Sequence, residues 1–291
     1  MRSVKLSVAL AREVSLARSR AATGWLRGTP QGRTVRRVID GLAEVQIVDR
    51  SMVLAAQIFT SVLPVIIAAS VFSGWHAAAE TINDQFGFDS GSLGAETGAS
   101  SDDPTLAAFG VVGLLMVVLG GTSFARALAR VYAAVWKVPT LGPRDAWRWL
   151  AALLAVAIAV ALVGQTRELT RIRYAGGPLA LAGELVVWAC VWTVAPFLLT
   201  KGALTGRPLW VSGVLTAAGL TAMHAVGRVV LPRATANAEA HFGPLGLAFT
   251  TVSWLFVLSM VIVGAAAVVK ALALDETAVG RFLRGPQQNG A

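Results

Sequence analysis

Glu184, His224 and Arg228 are the ionisable side chains most at odds with their surroundings, because each stands inside a run of apolar residues. A carboxylate, an imidazole and a guanidinium brought together can share a proton or hold an ion, and in apolar surroundings such groups must pair or face a cavity. His224 and Arg228 are four residues apart and fall on one helix face. The expectation is a Glu184–Arg228 tie with His224 beside it, serving either as a structural link or as an outer gate or ligand site. A second set is polar and uncharged. Gln57, Ser61 and Pro64 share one helix face, and Thr193 and Pro196 repeat part of the pattern, Ser61-Val62-Leu63-Pro64 against Thr193-Val194-Ala195-Pro196. Each proline removes a helix hydrogen bond and frees the carbonyl four residues earlier, at Thr60 and Trp192. These five residues are candidates for a substrate path; prolines that merely shape the bundle are the alternative.

Other chemistry has little to stand on. His76, His224 and His241 are scattered with no metal-ligand spacing, and no glycine-rich loop precedes a lysine as a phosphate cradle would. Asp102-Asp103 reads as a solvated pair, and the remaining acids are too dispersed for the carboxylate cluster of a metal-dependent nuclease. No catalytic residue, metal or cofactor is expected. The single cysteine, Cys190, permits no disulfide within the chain and reads as a small buried packing residue. No cleavable signal peptide is apparent, since Arg12, Arg18 and Arg20 interrupt any apolar core near the N-terminus.

The elements that would position these residues are apolar runs. Residues 51–74 form a stretch long enough to cross a bilayer core as a helix. Ten Lys/Arg precede it in residues 1–50, whereas residues 75–105 carry six acids and no Lys or Arg. That asymmetry places the N-terminus in the cytoplasm. Five further runs follow, at 106–125, 147–165, 179–200, 209–231 and 244–268. Arg126, Arg130, Lys137, Arg144, Arg148, Lys201, Arg207, Lys270, Arg281 and Arg284 then fall inside; Arg167, Arg171 and Arg173 fall outside. The expected fold is all-α, a bundle of six transmembrane helices with both termini cytoplasmic. It divides into a basic arm (1–50) with an interfacial helix over Val38–Arg50, the membrane domain (51–270) and a short tail (271–291). Trp75, Trp147, Trp149 and Trp210 mark span ends. Gly213, Ala217, Thr221 and Ala225 make a small-residue face for close helix packing. Only 14% of the chain is charged, against about 25% in soluble domains. The net charge of +9 therefore points to anionic lipid head groups rather than nucleic acid; Arg33, Arg36, Arg37, Arg126 and Arg130 are the expected contacts.

The run Ala55-Ala56-Gln57-Ile58-Phe59-Thr60-Ser61-Val62-Leu63-Pro64 resembles the first-span signature of the YihY/BrkB family of inner-membrane proteins. Arg126-Ala127-Leu128-Ala129-Arg130-Val131-Tyr132 with Trp136-Lys137-Val138-Pro139 resembles that family's segment after span two. Phe242-Gly243-Pro244-Leu245-Gly246, with Trp254-Leu255 and Val263-Gly264-Ala265, is similar to its last span. The likeness covers residues 40 to 270. It implies six transmembrane helices, an inner-membrane location and a link to envelope integrity and transport. A ribonuclease label once given to the family is regarded as mistaken. Many members carry an acid where this chain has Ala266, so no carboxylate role transfers to that position.

Together these readings set the functional expectation: an inner-membrane transporter or lipid-handling protein that supports the envelope, with an amphiphilic or anionic substrate. The alternative is a non-transporting scaffold for envelope proteins; an intramembrane enzyme ranks third. Membrane lipids with anionic head groups are the expected partners, a homo-oligomer being the further option.

Overall fold

The computed structural model describes residues 28–73, 104–166 and 176–285. The arm before residue 28, most of the 75–105 connection, the 167–175 connection and the last six residues lie outside that description, and with them His76, Asp102, Asp103, Arg167, Arg171 and Arg173.

The described chain is helical, with no strand among the described residues. Helix α1 (Pro30–Glu44) starts at an N-cap, where the Thr29 hydroxyl accepts from the Gly32 amide at 3.0 Å, and has Pro30 in its first turn. Six long helices follow: α2 (Ile47–Ser73), α3 (Pro104–Trp136), α4 (Ala146–Thr166), α5 (Gly176–Leu199), α6 (Arg207–Phe242) and α7 (Pro244–Ala273). A short α8 (Ala278–Arg284) closes the described chain.

The long helices pack in chain order, and α7 returns to α2, so they close a ring. Helix α3 also reaches α5 and α7 across it. The reason lies in its sequence. Ala125, Ala127, Ala129 and Ala133 are buried on α3, and small side chains let neighbouring backbones approach closely. The core gathers around this half of α3, with Leu128, Val131, Tyr132 and Val135 against Leu54, Trp192, Ile262 and Val263.

The outside is apolar. Leu119 (68% exposed), Leu154 (61%), Val186 (61%) and Phe249 (68%) stand on different helices and face outward. A belt of this kind suits hydrocarbon rather than water. Among the described residues three helices are long and apolar enough to cross a membrane: Gly176–Leu199, Arg207–Phe242 and Leu245–Ala273.

Several boundaries differ from the sequence expectation. The helix expected over 38–50 is not continuous: α1 ends at Glu44, Gln46 takes φ 53°, and α2 begins at Ile47. Helix α3 continues to Trp136, three turns past the apolar run, because alanines and Tyr132 pack that extension into the core. Helix α6 continues through Pro232 to Phe242. The tail is not a plain extension: α8 folds back onto α7 and α6. Cys190 is exposed, not buried. In a helix facing lipid, an apolar neighbourhood does not reveal which side points inward, since lipid tails are as apolar as a core.

The Phe242-Gly243-Pro244-Leu245-Gly246 run has a structural explanation. Gly243 takes φ 59° and alone separates α6 from α7, a conformation that favours glycine. Pro244 starts α7, as proline does at a first helical position. A Cβ at Gly246 would collide with the Ala238 carbonyl, so this glycine lets the two helices meet at once.

Candidate functional site

At one end of the bundle the chain is basic and tied by polar contacts. Lys137 Nζ meets Glu44 Oε1 at 2.8 Å, joining α3 to α1. Lys201 Nζ meets Asp145 Oδ2 at 2.6 Å, and Arg148 Nη1 donates to the Leu198 carbonyl at 3.2 Å, joining α4 to the end of α5. Arg207 Nη1 donates to the Phe282 carbonyl at 2.9 Å, its guanidinium lies 4.7 Å over the Phe282 ring, and Trp210 meets that ring edge-on. These contacts tie α6 to α8.

Asp275 is the hub of this end. It is 6% exposed. Its carboxylate accepts from Thr34 Oγ1 and Arg37 Nη1, each at 2.5 Å, and from the Glu276 amide at 3.0 Å. Arg37 also donates to the Leu274 carbonyl, and Arg284 Nη1 donates to the carbonyls of Ala273 and Asp275. The Thr34 hydroxyl, foremost, with the Glu276 amide and the Arg37 charge, holds the Asp275 carboxyl below its usual range. Hydrogen bonding from Lys201 does the same for Asp145, and from Lys137 for Glu44. Sequence reading missed Asp275 because its partners lie some 240 residues away. A lone acid just past the last apolar run was the only signal.

The intramembrane trio resolves into a pair. His224 Nδ1 lies 3.2 Å from Glu184 Oε1, between α6 and α5. Trp188, one turn from Glu184, meets the His224 ring edge-on at 6.3 Å. Arg228 is exposed, and among the described residues no ion pair joins it to Glu184. Four residues along a helix is a 40° turn, enough here to put Arg228 outside while His224 faces the seam. Glu184 stands 15 residues from Leu199 and His224 17 residues from Arg207, so the pair is about 22 to 25 Å above the basic end.

The second expected set divides between two seams. Ser123 Oγ donates to Gln57 Oε1 at 2.6 Å, and Ser61 Oγ donates to the Gln57 carbonyl at 2.7 Å, opposite Gly120. Both residues therefore belong to the α2–α3 seam. The chain is helical through Pro64. Thr193 Oγ1 donates to the Ala189 carbonyl at 2.7 Å and lies against Gly213, in the α5–α6 seam. Pro196 is fully buried, and its carbonyl takes the Thr200 hydroxyl at 2.8 Å. Gly213 sits where the Trp192 carbonyl is released by Pro196: a Cβ there would stand 3.0 Å from the Trp192 carbonyl carbon. Of the small-residue face, Gly213, Ala217 and Thr221 are buried and Ala225 is exposed. Helices α2 and α5 are not neighbours in the ring, so the matching motifs do not share a wall.

Of the expected head-group contacts, Arg33, Arg36, Arg126 and Arg130 are exposed. Arg36 pairs loosely with Asp40 at 3.6 Å, and Arg37 is taken up by Asp275.

One further feature concerns polar side chains in the interior. Ser51, Tyr132, Ser212, Thr221 and Ser259 are buried, and their hydroxyls have no hydrogen-bond partner among the described residues. They fall at two levels. Ser51, Tyr132 and Ser212 are four, four and five residues in from the basic ends of α2, α3 and α6, about 6 to 8 Å up. Thr221 and Ser259 are each 14 residues in, on α6 and α7, about 21 Å up. Gly219 packs on Val261 and Gly227 on Trp254, a register that brings Thr221 level with Ser259. This upper level coincides with Glu184–His224. Among the described residues no three His, Cys, Asp or Glu side chains are grouped as metal ligands.

A comparison with family models, curated proteins and solved structures finds no match for this chain.

Proposed function

We propose that this chain is a multi-pass protein of the cell membrane, with six spans and both termini cytoplasmic, that moves or handles an amphiphilic or anionic substrate in support of the envelope. On this reading it belongs with the YihY/BrkB family and acts without catalysis. The apolar belt and the three sufficiently long apolar helices support the membrane location. The basic end supports the orientation.

The observation that carries transport is the set of interior hydroxyls without partners, at two levels of the bundle. A buried donor left unsatisfied costs about 1–3 kcal/mol. A bundle serving only as a scaffold gains nothing from such groups, whereas a polar head group passing through is served by them. Glu184–His224, level with Thr221 and Ser259, supplies a proton-holding pair at that height. Basic side chains at the cytoplasmic end would draw an anion.

The test removes hydroxyls without changing shape. Tyr132→Phe, Ser212→Ala and Ser259→Ala, singly and combined, are placed in a deletion strain and scored for rescue of envelope sensitivity, with protein level measured in parallel. The expected result is lost rescue at normal protein level and unchanged or raised stability. Full rescue by the triple variant would overturn the transport reading.

The scaffold reading has its own observation. Gln57, Ser61 and Thr193 are half-buried in helix seams against Ser123, Gly120 and Gly213, a placement that also suits packing.

A further inference from the structure

The basic end holds an unequal distribution of partners. Lys137, Lys201, Arg37 and Arg148 meet carboxylates, and Arg207, Arg281 and Arg284 meet backbone carbonyls. Arg126 and Arg130 differ. They stand on the wall of the bundle, one turn apart on α3, both exposed. Among the described residues neither forms an ion pair. Arg126 makes only a long contact, 3.4 Å, from Nε to its own helix at the Thr122 carbonyl.

The Arg126 guanidinium lies 5.6 Å from the centre of the Trp149 ring on α4, a cation–π distance. Two exposed cations, one turn apart on α3, thus stand where no acidic side chain among the described residues pairs with them, and the ring of Trp149 backs the first of them. Above it both helices present apolar side chains outward. Leu115, Leu119, Thr122 and Arg126 share one face of α3, at spacings of four, three and four. Leu150 (48% exposed), Leu154 (61%) and Ile158 (51%) share one face of α4. Gly121 against Leu153 sets the two helices side by side.

We propose that Arg126, Arg130 and Trp149 form a seat for one anionic phospholipid, its phosphate on the two guanidiniums, with the Trp149 ring steadying Arg126, and its acyl chains along the exposed strips of α3 and α4. The inference rests on the reading of the bundle as membrane-spanning. The strips decide for a phospholipid over free phosphate: a soluble anion gains nothing from Leu119 and Leu154, whereas acyl chains are covered by them. Arg supplies two parallel donors to a phosphate oxygen pair, which a lysine cannot do.

The experiment is native mass spectrometry of the purified full-length protein in detergent, with phosphatidylglycerol or phosphatidylcholine of equal chain length added. The expected result is one tightly retained phosphatidylglycerol and at least fivefold weaker phosphatidylcholine. Arg126→Gln and Arg130→Gln each lower phosphatidylglycerol affinity about fivefold, the equivalent of ~1 kcal/mol for a basic side chain at an anionic surface. Trp149→Leu removes the ring beside Arg126 and weakens binding about threefold, as loss of a cation–π contact should. Arg233→Gln, toward the far end of α6, leaves binding unchanged. Unaltered retention in Arg126→Gln and Arg130→Gln, or equal retention of phosphatidylcholine, overturns the seat. Displacement of the lipid by millimolar inorganic phosphate also overturns it, in favour of a free-anion site. Recovery of the protein in the soluble fraction of lysed cells would instead remove the membrane reading on which the proposal rests.

Discussion

Replacing Asp275 by asparagine should release α1 from the bundle. The carboxylate takes two short side-chain contacts, from Thr34 and Arg37, and one backbone amide, while itself almost fully enclosed. Asparagine keeps the size, offers one acceptor oxygen and carries no charge. A hydrogen bond to a charged group contributes about 1.5–3 kcal/mol. The Thr34 bond falls in that range. The Arg37 side chain is 42% exposed, so water screens it and its share drops to about 0.5–1 kcal/mol. Asp275→Asn should therefore cost about 2–3 kcal/mol, and Thr34→Val about 1–2 kcal/mol. Because the two residues meet, the double variant should cost less than the sum, by about 1 kcal/mol. Unfolding of the purified protein by dodecyl sulfate in mixed micelles reads these differences. Limited trypsin digestion reads release directly, through faster cleavage after Arg36 and Arg37. The sign with pH follows from the lowered carboxyl. Its stabilisation is fully present above the usual carboxylate value of about 4 and is lost as pH falls through the lower folded value. The asparagine variant lacks that part of the acid loss. Since Asp145 and Glu44 are lowered as well, the informative quantity is the difference between wild type and variant. A loss under about 0.5 kcal/mol, or identical acid limbs, would refute the assignment of Asp275 as the clasp of this end.

Glu184→Gln and His224→Leu should each destabilise the bundle, and the double variant should lose less than their sum, because the two side chains meet; strict additivity by the same unfolding assay would show that they do not interact. Gly213→Ala should cost about 1–3 kcal/mol, since its Cβ would stand 2.9 Å from the Thr193 amide nitrogen, and undiminished stability would place the α5–α6 seam elsewhere. Ser61→Leu should push α2 off α3 at Gly120 and lower the folded protein level; a well-folded but inactive variant would restore position 61 to a substrate path. In a Cys190→Ala background, cysteine at Ser92 should react with an impermeant thiol reagent in intact cells and cysteine at Gly285 should not; the opposite pattern inverts the topology.

The long helices were legible because apolar run length reports helix position almost directly. Their ends were less so. Residues 126–136 and 232–242 are polar enough to read as connections, yet alanine-rich packing carries α3 onward, and α6 simply continues through Pro232. The pairing of Glu184 with His224 was partly visible, as two ionisable groups at similar depth on successive helices. Arg228 was assigned to the same site by face alone, and one 40° step separated it. The joint path through Gln57 and Thr193 assumed that equivalent helices meet, whereas packing in chain order keeps α2 and α5 apart. Partners as distant as Thr34 and Asp275 leave no trace in local pattern.

The single-residue joint at Gly243 has a mechanical consequence. Helices α6 and α7 are pinned together at the far end by that joint, and at the basic end α8, continuous with α7, grips the first turn of α6 through Arg207, Trp210 and Phe282. The chain thus closes a triangle of struts, hinged at no free corner. Such a truss turns as one block: a push on α7 is delivered to α6 undiminished, and neither can swivel against the other without prising Phe282 loose. Any rocking of the bundle must be borne by the remaining four long helices sliding past this rigid side, and the slip planes are the seams that α6 makes with α5 and α7 makes with α2. Glu184–His224 lies on the first of these planes, so that this one polar contact joins the sliding side to the rigid one.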